Sequence, residues 1–196
     1  MKKEITDLIS SGHTVITPTN ALASHLQDKY ALQQIEQGKS VWPTANVFSW
    51  HAWCQSLWQQ LIFNTEHHPV LLSQYQSLML WQEVIAASRY AKQLLQLQAT
   101  AKQAQTAYYL YKNWGIGSIP EEYYMNQDAF AFKVWLESYE LQLRVNSWLD
   151  EASLVEYLTQ YSQQLTLEPV HYVFYAFDDW APRQISFIDS LVEQGI

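Results

Sequence analysis

The segment Val170–Gln184 reads V-H-Y-V-F-Y-A-F-D-D-W-A-P-R-Q and decides how the rest of the sequence is interpreted. Apart from His171, the residues of Val170–Phe177 are all apolar or aromatic, without the polar–apolar alternation of a half-buried strand. Such a run is typical of a central strand in a mostly parallel sheet that helices cover on both faces. Two carboxylates, Asp178 and Asp179, end the run.

The residues after this run predict a helix. Pro182 is a residue favoured in the first helical turn, and an apolar stripe at helical spacing follows it, formed by Ile185, Phe187, Ile188, Leu191 and Val192. This order places Asp178 and Asp179 at the carboxyl edge of the sheet, where open α/β folds bind ligands. The alternative is that the two aspartates cap the helix, where carboxylates suit the positive end of the helix dipole.

A second strand–turn–helix segment lies near the amino terminus. His13–Thr17 reads H-T-V-I-T and predicts the first strand, and either Thr19 or Asn20 can cap the helix that follows. Nucleotide-binding folds hold phosphate at such a junction, with the motif G-x-x-x-x-G-K-[ST]. The segment Thr17–Asn20 contains neither glycine nor lysine. The sequence therefore predicts a capped turn or a residual anion site here, and no working phosphate loop.

The chain between these two segments is predicted to be mainly helical. A short second strand is predicted at Asn46–Phe48, and the tryptophan-rich helix after it has core spacing, although a base-stacking platform is the alternative. Further helices are predicted after the capping box Ser73–Gln76, continuing through 91–113, then over 127–146 and after Asp150. The element order favours one α/β domain with a mostly parallel sheet and a large all-helical insertion.

Composition limits the possible functions. The chain has 196 residues and a formal net charge of −8, so it lacks the basic surface with which proteins bind DNA on their own. Its single cysteine, Cys54, suits a reducing compartment, and no apolar run reaches the length of a membrane span. The histidines form no H-E-x-x-H motif, and no metal site is predicted. We expect a soluble, cytoplasmic protein.

Four motifs then occur in the order typical of one family. They are T-V-I-T-P-T-N-A-L-A-S-H-L (Thr14–Leu26), V-W-P-T-A-N-V-F-S-W-H-A-W (Val41–Trp53), S-W-L-D-E-A-S-L (Ser147–Leu154) and F-D-D-W-A-P-R-Q (Phe177–Gln184). Together they resemble the amino-terminal region of the "probable DNA repair protein" family, which is similar to the AddB and RecC subunits of bacterial helicase–nuclease complexes. In that family a degenerate helicase-like front half precedes a RecB-type PD-(D/E)XK nuclease domain.

The resemblance implies a degenerate RecA-like (P-loop NTPase-like) sheet built from residues 1–49 plus 166–196, with an inserted helical subdomain of the 1B type at 50–165. It implies a vestigial Walker A position at Thr17, Pro18, Thr19 and Asn20. It likewise implies a vestigial Walker B position at Asp178, Asp179 and Gln184, with Asp178 as the nominal Mg²⁺ partner. No catalytic residue and no cofactor, neither ATP nor Mg²⁺, is expected in this region. The nuclease site would lie beyond Ile196.

The resulting functional expectation is a non-catalytic, helicase-like scaffold in a DNA repair or recombination protein whose full-length form is a PD-(D/E)XK nuclease. Its expected partners are DNA, bound through the full-length protein or complex, and other domains of the same chain or helicase subunits, with no membrane. A helical protein–protein interaction module unrelated to DNA is the alternative, favoured by the acidic composition and the Gln/Ala-rich helices. A third interpretation is an active nucleotide-binding enzyme with an unorthodox loop.

Overall fold

The computed structural model describes residues 4–64, 68–117, 126–167 and 171–195. These residues form eight α-helices and five strands, a mixed α/β protein that is mostly helical. In chain order they are α1 (Ile5–Ser10), β1 (Thr14–Thr17), α2 (Asn20–Glu36), β2 (Val47–Ser49), α3 (Trp50–Asn64), β3 (Val70–Leu71), α4 (Gln74–Ala87), α5 (Leu97–Asn113), α6 (Gln127–Val145), β4 (Trp148–Leu149), α7 (Leu154–Gln160), β5 (Tyr172–Phe174) and α8 (Pro182–Val192).

The chain folds into two compact units. The first comprises Met1–Asn64, Tyr161–Trp180 and Ile188–Ile196, and the second comprises Thr65–Gln160 and Ala181–Phe187. Helix α3 belongs to the first unit, whereas the sequence prediction started the helical subdomain at residue 50. The assignment of functional domains stays a prediction.

A three-stranded parallel sheet forms the centre of the first unit. Its strand order is β2-β1-β5, and β1 pairs with both neighbours. Thr14 is opposite Tyr172 and Val15 is opposite Val47. The two strands at the ends of the sequence are thus side by side, as predicted, and the helices of the second unit lie between β2 and β5 in the chain.

The two faces of this sheet are covered by different helices. On one face Val15, Val47 and Val173 join an apolar cluster with residues of α1 and α2, including Ile9 and Leu26. On the opposite face the ring of Trp53 from α3 lies 5.8 Å, between centroids, from the rings of both Tyr172 and Phe174. All four residues of β1 are buried, because helices cover both faces of this strand and strands flank both its edges.

The prediction of a long central strand over Val170–Phe177 was wrong. Strand β5 spans three residues, all of them half-buried, and it lies at an edge of the described sheet, while Val170 is outside the described residues. The strand stops because Ala176 adopts a φ of 61°, which leaves the extended conformation. The central strand of the described sheet is β1, and not the strand predicted from the apolar run.

The second unit is built from α4, α5, α6 and α7, with a small parallel sheet that the sequence did not predict. Its strands β3 and β4 pair Val70 with Trp148 and Leu71 with Leu149. The core is aromatic: the ring of Trp81 stacks on that of Tyr139 with centroids 4.0 Å apart. No described helix has the length and apolar character required to cross a lipid bilayer.

The helix predicted to continue through 91–113 is interrupted. Helix α4 ends at Ala87, and α5 begins only at Leu97. Ser88 has an extended ψ of 156°, its hydroxyl donates to the Ile85 carbonyl oxygen (2.7 Å), and it accepts from the indole nitrogen of Trp135 (2.9 Å). The break follows because these side-chain bonds compete with continuation of the helix.

Candidate functional site

The carboxyl ends of β1 and β2 meet at one edge of the first unit's sheet. Thr17 ends β1 and is fully buried. Its hydroxyl is 3.0 Å from the Thr19 carbonyl oxygen and 3.3 Å from that of Phe48. Thr17 therefore ties the turn after β1 to the neighbouring strand, because its polar group is directed at main chain and away from solvent.

The first turns of α2 and α3 are capped by side chains from this edge. The Thr19 hydroxyl accepts from the Leu22 amide at 3.3 Å, which confirms the predicted cap of α2. Ser49, itself buried, accepts from the Ala52 amide at 3.2 Å and donates its hydroxyl proton to the side-chain oxygen of Asn20. Three residues at the predicted vestigial Walker A position, Thr17, Thr19 and Asn20, are therefore bonded within the turn, to β2 or to a helix end.

The described residues at this edge lack several features that bind a phosphate tightly. A site that binds an anion such as phosphate needs free main-chain N–H groups and a cation. Pro18 has no N–H to offer, the N–H group of Leu22 is already bonded, and no lysine occurs in Thr17–Asn20. The arrangement is that of a capped turn, one of the two alternatives left open by the sequence.

A cluster of aromatic rings lies at the carboxyl ends of β2 and β5. Trp50, the first residue of α3, has its ring centroid 6.3 Å from Phe174, 6.2 Å from Phe177 and 6.1 Å from Trp180. Phe177 and Trp180 stack on each other, with centroids 4.2 Å apart. In open α/β sheets the crevice at the reversal of strand order, here between β1 and β5, is the usual ligand position. Large apolar side chains are gathered beside it.

Both predicted Walker B aspartates are exposed. Asp178 and Asp179 occupy the two positions between the stacked rings of Phe177 and Trp180. Neither carboxylate has an ion pair or hydrogen bond within the described residues, and no group of three or more metal-ligating side chains occurs there. The pair is a patch of negative charge at the sheet edge, in contact with solvent.

Gln184 acts at the start of α8. Its side-chain oxygen accepts from the Ala181 amide at 3.0 Å, one residue before the helix begins at Pro182. The position of Pro182 in the first turn confirms the prediction. The polar cap expected from the aspartates is supplied by Gln184, because the helix begins three residues after Asp179. Gln184 belongs to the second unit, whereas the aspartates belong to the first.

A buried polar network that the sequence did not reveal lies in the second unit. One oxygen of Asp150 accepts from the hydroxyls of Ser77 (2.6 Å) and Tyr139, and the other accepts from the Ala152 amide at 2.7 Å. Gln105 donates to the Ser77 hydroxyl at 3.0 Å. The amide contact confirms the predicted cap at Asp150, but its partners on α4 and α6 are too distant in sequence to be predicted.

Burial makes two tyrosines of this core unusually weak acids. Burial, followed by the negative charge of Asp150 and a hydrogen bond to it, raises the pKa of Tyr139 well above its ordinary value of 10.0. Burial raises the pKa of Tyr108 in the same direction, against a hydrogen bond to Ser153 that lowers it. Because both hydroxyls stay protonated and the Asp150 carboxylate is fully bonded, the network stabilises the helices and offers no free acid or base.

Comparison with other proteins assigns neither a family nor a function to these residues. The sequence matches no known family model, and no curated protein is similar enough to count as a match.

Proposed function

We propose that this chain is a non-catalytic, helicase-like scaffold domain of a DNA repair or recombination helicase–nuclease protein, acting in the cytoplasm. The observation that supports the proposal is the pairing of β1 with both β2 and β5 in parallel, followed by a capped turn in place of a phosphate loop. We infer that the sheet is a reduced RecA-like sheet and that the second unit is its helical insertion.

The chemistry at the sheet edge supports a role without hydrolysis of a nucleoside triphosphate. Hydrolysis of a nucleoside triphosphate needs a clamp on the phosphates and Mg²⁺ held by a fixed carboxylate. Thr19, Asn20 and Ser49 are bonded to each other or to helix ends, and Asp178 and Asp179 are exposed and form no ion pair or hydrogen bond with any described residue. Such an edge still provides a rigid framework on which other domains can dock.

The charge distribution supports a role in which DNA is bound through other parts of the protein. Among the described residues of the first unit, only Lys29 and Lys39 carry permanent positive charge. Lys29 lies 3.6 Å from the Glu4 carboxylate, and Lys39 donates to the Gln34 side chain at 2.6 Å. Since DNA affinity depends on neutralised phosphates, a basic domain or subunit must supply most of the contact.

Deletion of the gene in the organism that carries it tests this function. Survival would be measured after an agent that makes double-strand breaks, with the intact gene restored on a plasmid as control. The proposal predicts reduced survival that the plasmid corrects. Survival equal to that of the parent strain would contradict it.

The same experiment separates the alternative, a helical interaction module unrelated to DNA. A specific observation favours that alternative: α6 exposes the apolar side chains of Leu141 and Val145, and α5 exposes Tyr109 and Leu110. Exposed apolar positions on helices are common at protein interfaces. A module with no role in repair would leave survival after DNA breaks unchanged.

A further inference from the structure

We propose that the open groove between α4 and α6 is a docking site for an amphipathic helix of a partner protein. The partner helix would lay its apolar stripe in the groove, with an acidic residue beside Arg89 and a basic residue beside Glu83. This inference concerns the binding of a protein segment to the second unit, and it does not depend on the proposed role in DNA repair.

The first support is the groove itself, which has a volume of about 670 Å³. Helices α4 and α6 lie side by side, joined by the contact between the Ser77 and Tyr139 hydroxyls (2.9 Å) and by the bond from the Trp135 indole nitrogen to the Ser88 hydroxyl (2.9 Å). An apolar surface gains free energy when another apolar surface covers it. Half of the residues that line the groove are apolar: Leu80, Val84, Ala87, Val134 and Leu141.

The groove is open to solvent along its rim. Ala87, Ser138, Leu141 and Gln142 are all exposed, and 48% of Leu141 is accessible. A site for a small molecule encloses most of its ligand. An open groove fits one face of a larger partner instead.

A helix is the partner structure that suits the walls of this groove. Both walls are formed by helices, which use most of their main-chain N–H and C=O groups internally. An extended segment would therefore find few bonds for its own main chain. A helix bonds its own main chain and offers a row of apolar side chains to the groove.

The second support is a pair of opposite charges along the groove. Glu83 and Arg89 both line it, both are exposed, and neither forms an ion pair within the described residues. Their positions in the sequence differ by on the order of two helical turns. A partner helix with one acidic and one basic residue at a similar separation would complement both charges.

Arg89 is already held in position for such a contact. Its guanidinium carbon lies 4.9 Å from the centroid of the Tyr90 ring and 5.9 Å from that of the Phe130 ring, and one nitrogen donates to the Tyr90 hydroxyl at 2.7 Å. The planar guanidinium has further N–H groups with which to bind a carboxylate. Because these contacts already restrict the side chain, Arg89 should lose little conformational freedom on binding.

A second copy of this chain is a poorer occupant. The surface is concave, so two copies related by a two-fold axis would place groove against groove and leave both unfilled. Each copy also has a net charge of −8, which opposes association. We therefore assign the groove to a helix of a partner protein.

Helical peptides displayed on phage and selected on the whole, immobilised protein test the proposal. Each peptide would have about 16 residues on an alanine-rich frame, with the residues of one face varied. We expect selected peptides to combine apolar residues at helical spacing with one acidic and one basic residue. Fluorescence anisotropy should give dissociation constants of about 1–50 μM. Proline at the centre of a selected peptide should weaken binding about a hundredfold, because it breaks the helix.

Substitutions in the groove should weaken binding, and matched substitutions outside it should not. Ala87→Trp fills the groove and should weaken binding about tenfold, whereas Ala86→Trp changes an exposed alanine that does not line the groove. Leu141→Lys removes an apolar contact at the rim and should also weaken binding about tenfold. Its control is Val145→Lys, at an exposed position of the same helix outside the groove. Thermal unfolding verifies that each variant is folded.

Charge reversal tests the pairing of the partner helix with the two charged residues. Arg89→Glu should weaken binding several-fold, and replacing the acidic residue of the peptide with lysine should restore binding to this variant. Glu83→Lys should be restored in the same way by a peptide whose basic residue is replaced with glutamate. Lys102→Glu, on α5 and outside the groove, should leave the affinity unchanged.

Four outcomes would overturn the proposal. The first is that no selected peptide binds more tightly than about 100 μM. The second is that selected peptides bind Ala87→Trp and Leu141→Lys as tightly as they bind the unchanged protein. The third is that Arg89→Glu leaves their affinity unchanged. The fourth is sedimentation of the protein alone as a dimer that Ala87→Trp converts to monomer, because a second copy would then occupy the groove.

Discussion

The indole ring of Trp180 lies nearly parallel to the phenyl ring of Phe177, with centroids 4.2 Å apart and an interplanar angle of 12°. The two residues that separate them in sequence, Asp178 and Asp179, are consequently exposed at the turn. In an active NTPase, a carboxylate at the expected Walker B position holds Mg²⁺ beside the phosphates. In this protein the stacked rings hold the two ends of the turn together.

Replacing Trp180 with alanine should destabilise the protein by about 2 kcal/mol. The half-buried ring loses its own burial and a stacked pair worth about 0.5–1.5 kcal/mol beyond burial. Urea unfolding followed by far-UV circular dichroism measures the change. The matched control is Trp114→Ala, since Trp114 is 56% exposed and should lose little. Equal losses in both variants would show that the stack does not hold the turn.

The caps at the sheet edge should differ in strength. Ser49→Ala removes the cap of α3 together with the bond from the buried Ser49 hydroxyl to Asn20, so we expect a loss of about 2 kcal/mol. Thr19→Ala removes one exposed capping bond, with an expected loss of about 1 kcal/mol. Chemical unfolding of both variants measures the difference. A larger loss for Thr19→Ala would mean that the Ser49–Asn20 contact contributes little.

The protein should become less stable as the pH rises above about 10. Tyr108 and Tyr139 have raised pKa values in the folded state relative to their ordinary value of 10.0. Above that pH the unfolded chain loses protons that the folded chain keeps, so the free energy of unfolding falls by up to about 1.4 kcal/mol per pH unit for each tyrosine. Urea unfolding across this range, together with tyrosinate absorbance, measures the effect.

Substitution with phenylalanine identifies the tyrosines responsible. Tyr139→Phe should remove part of the decline with pH, while costing about 1–2 kcal/mol near neutrality through the lost bond to Asp150. Tyr75→Phe alters a tyrosine of α4 that is 71% exposed, and should leave the decline unchanged. If Tyr139→Phe keeps the full decline, the ionisation of that residue is not coupled to unfolding.

Predictions from the sequence succeeded where the physical signal is local. The capping box of Ser73 and Gln76, the cap at Thr19 and the first-turn position of Pro182 each depend on a few neighbouring residues, and the structure confirms all three. The parallel neighbours of β1 were also predicted, because strand–helix–strand order restricts the possible pairings.

The features that were missed depend on residues far apart in sequence. The apolar run that ends at Phe177 cannot distinguish a central strand from an edge strand whose Tyr172 and Phe174 pack against Trp53. The network of Asp150 joins residues separated by as many as 73 positions, and no local pattern marks its partners. The vestigial Walker site stays a prediction, and the aromatic cluster beside Asp178 and Asp179 was not predicted.

Titration of the whole protein with a fluorescent ATP analogue and Mg²⁺ tests the central claim most directly, because the claim is that an NTPase-like sheet has lost its phosphate cradle. The expected result is no saturable binding below about 1 mM and no release of phosphate from ATP. The residues responsible would be the bonded turn at Thr17–Asn20 and the exposed Asp178 and Asp179. Micromolar binding with phosphate release would contradict the account.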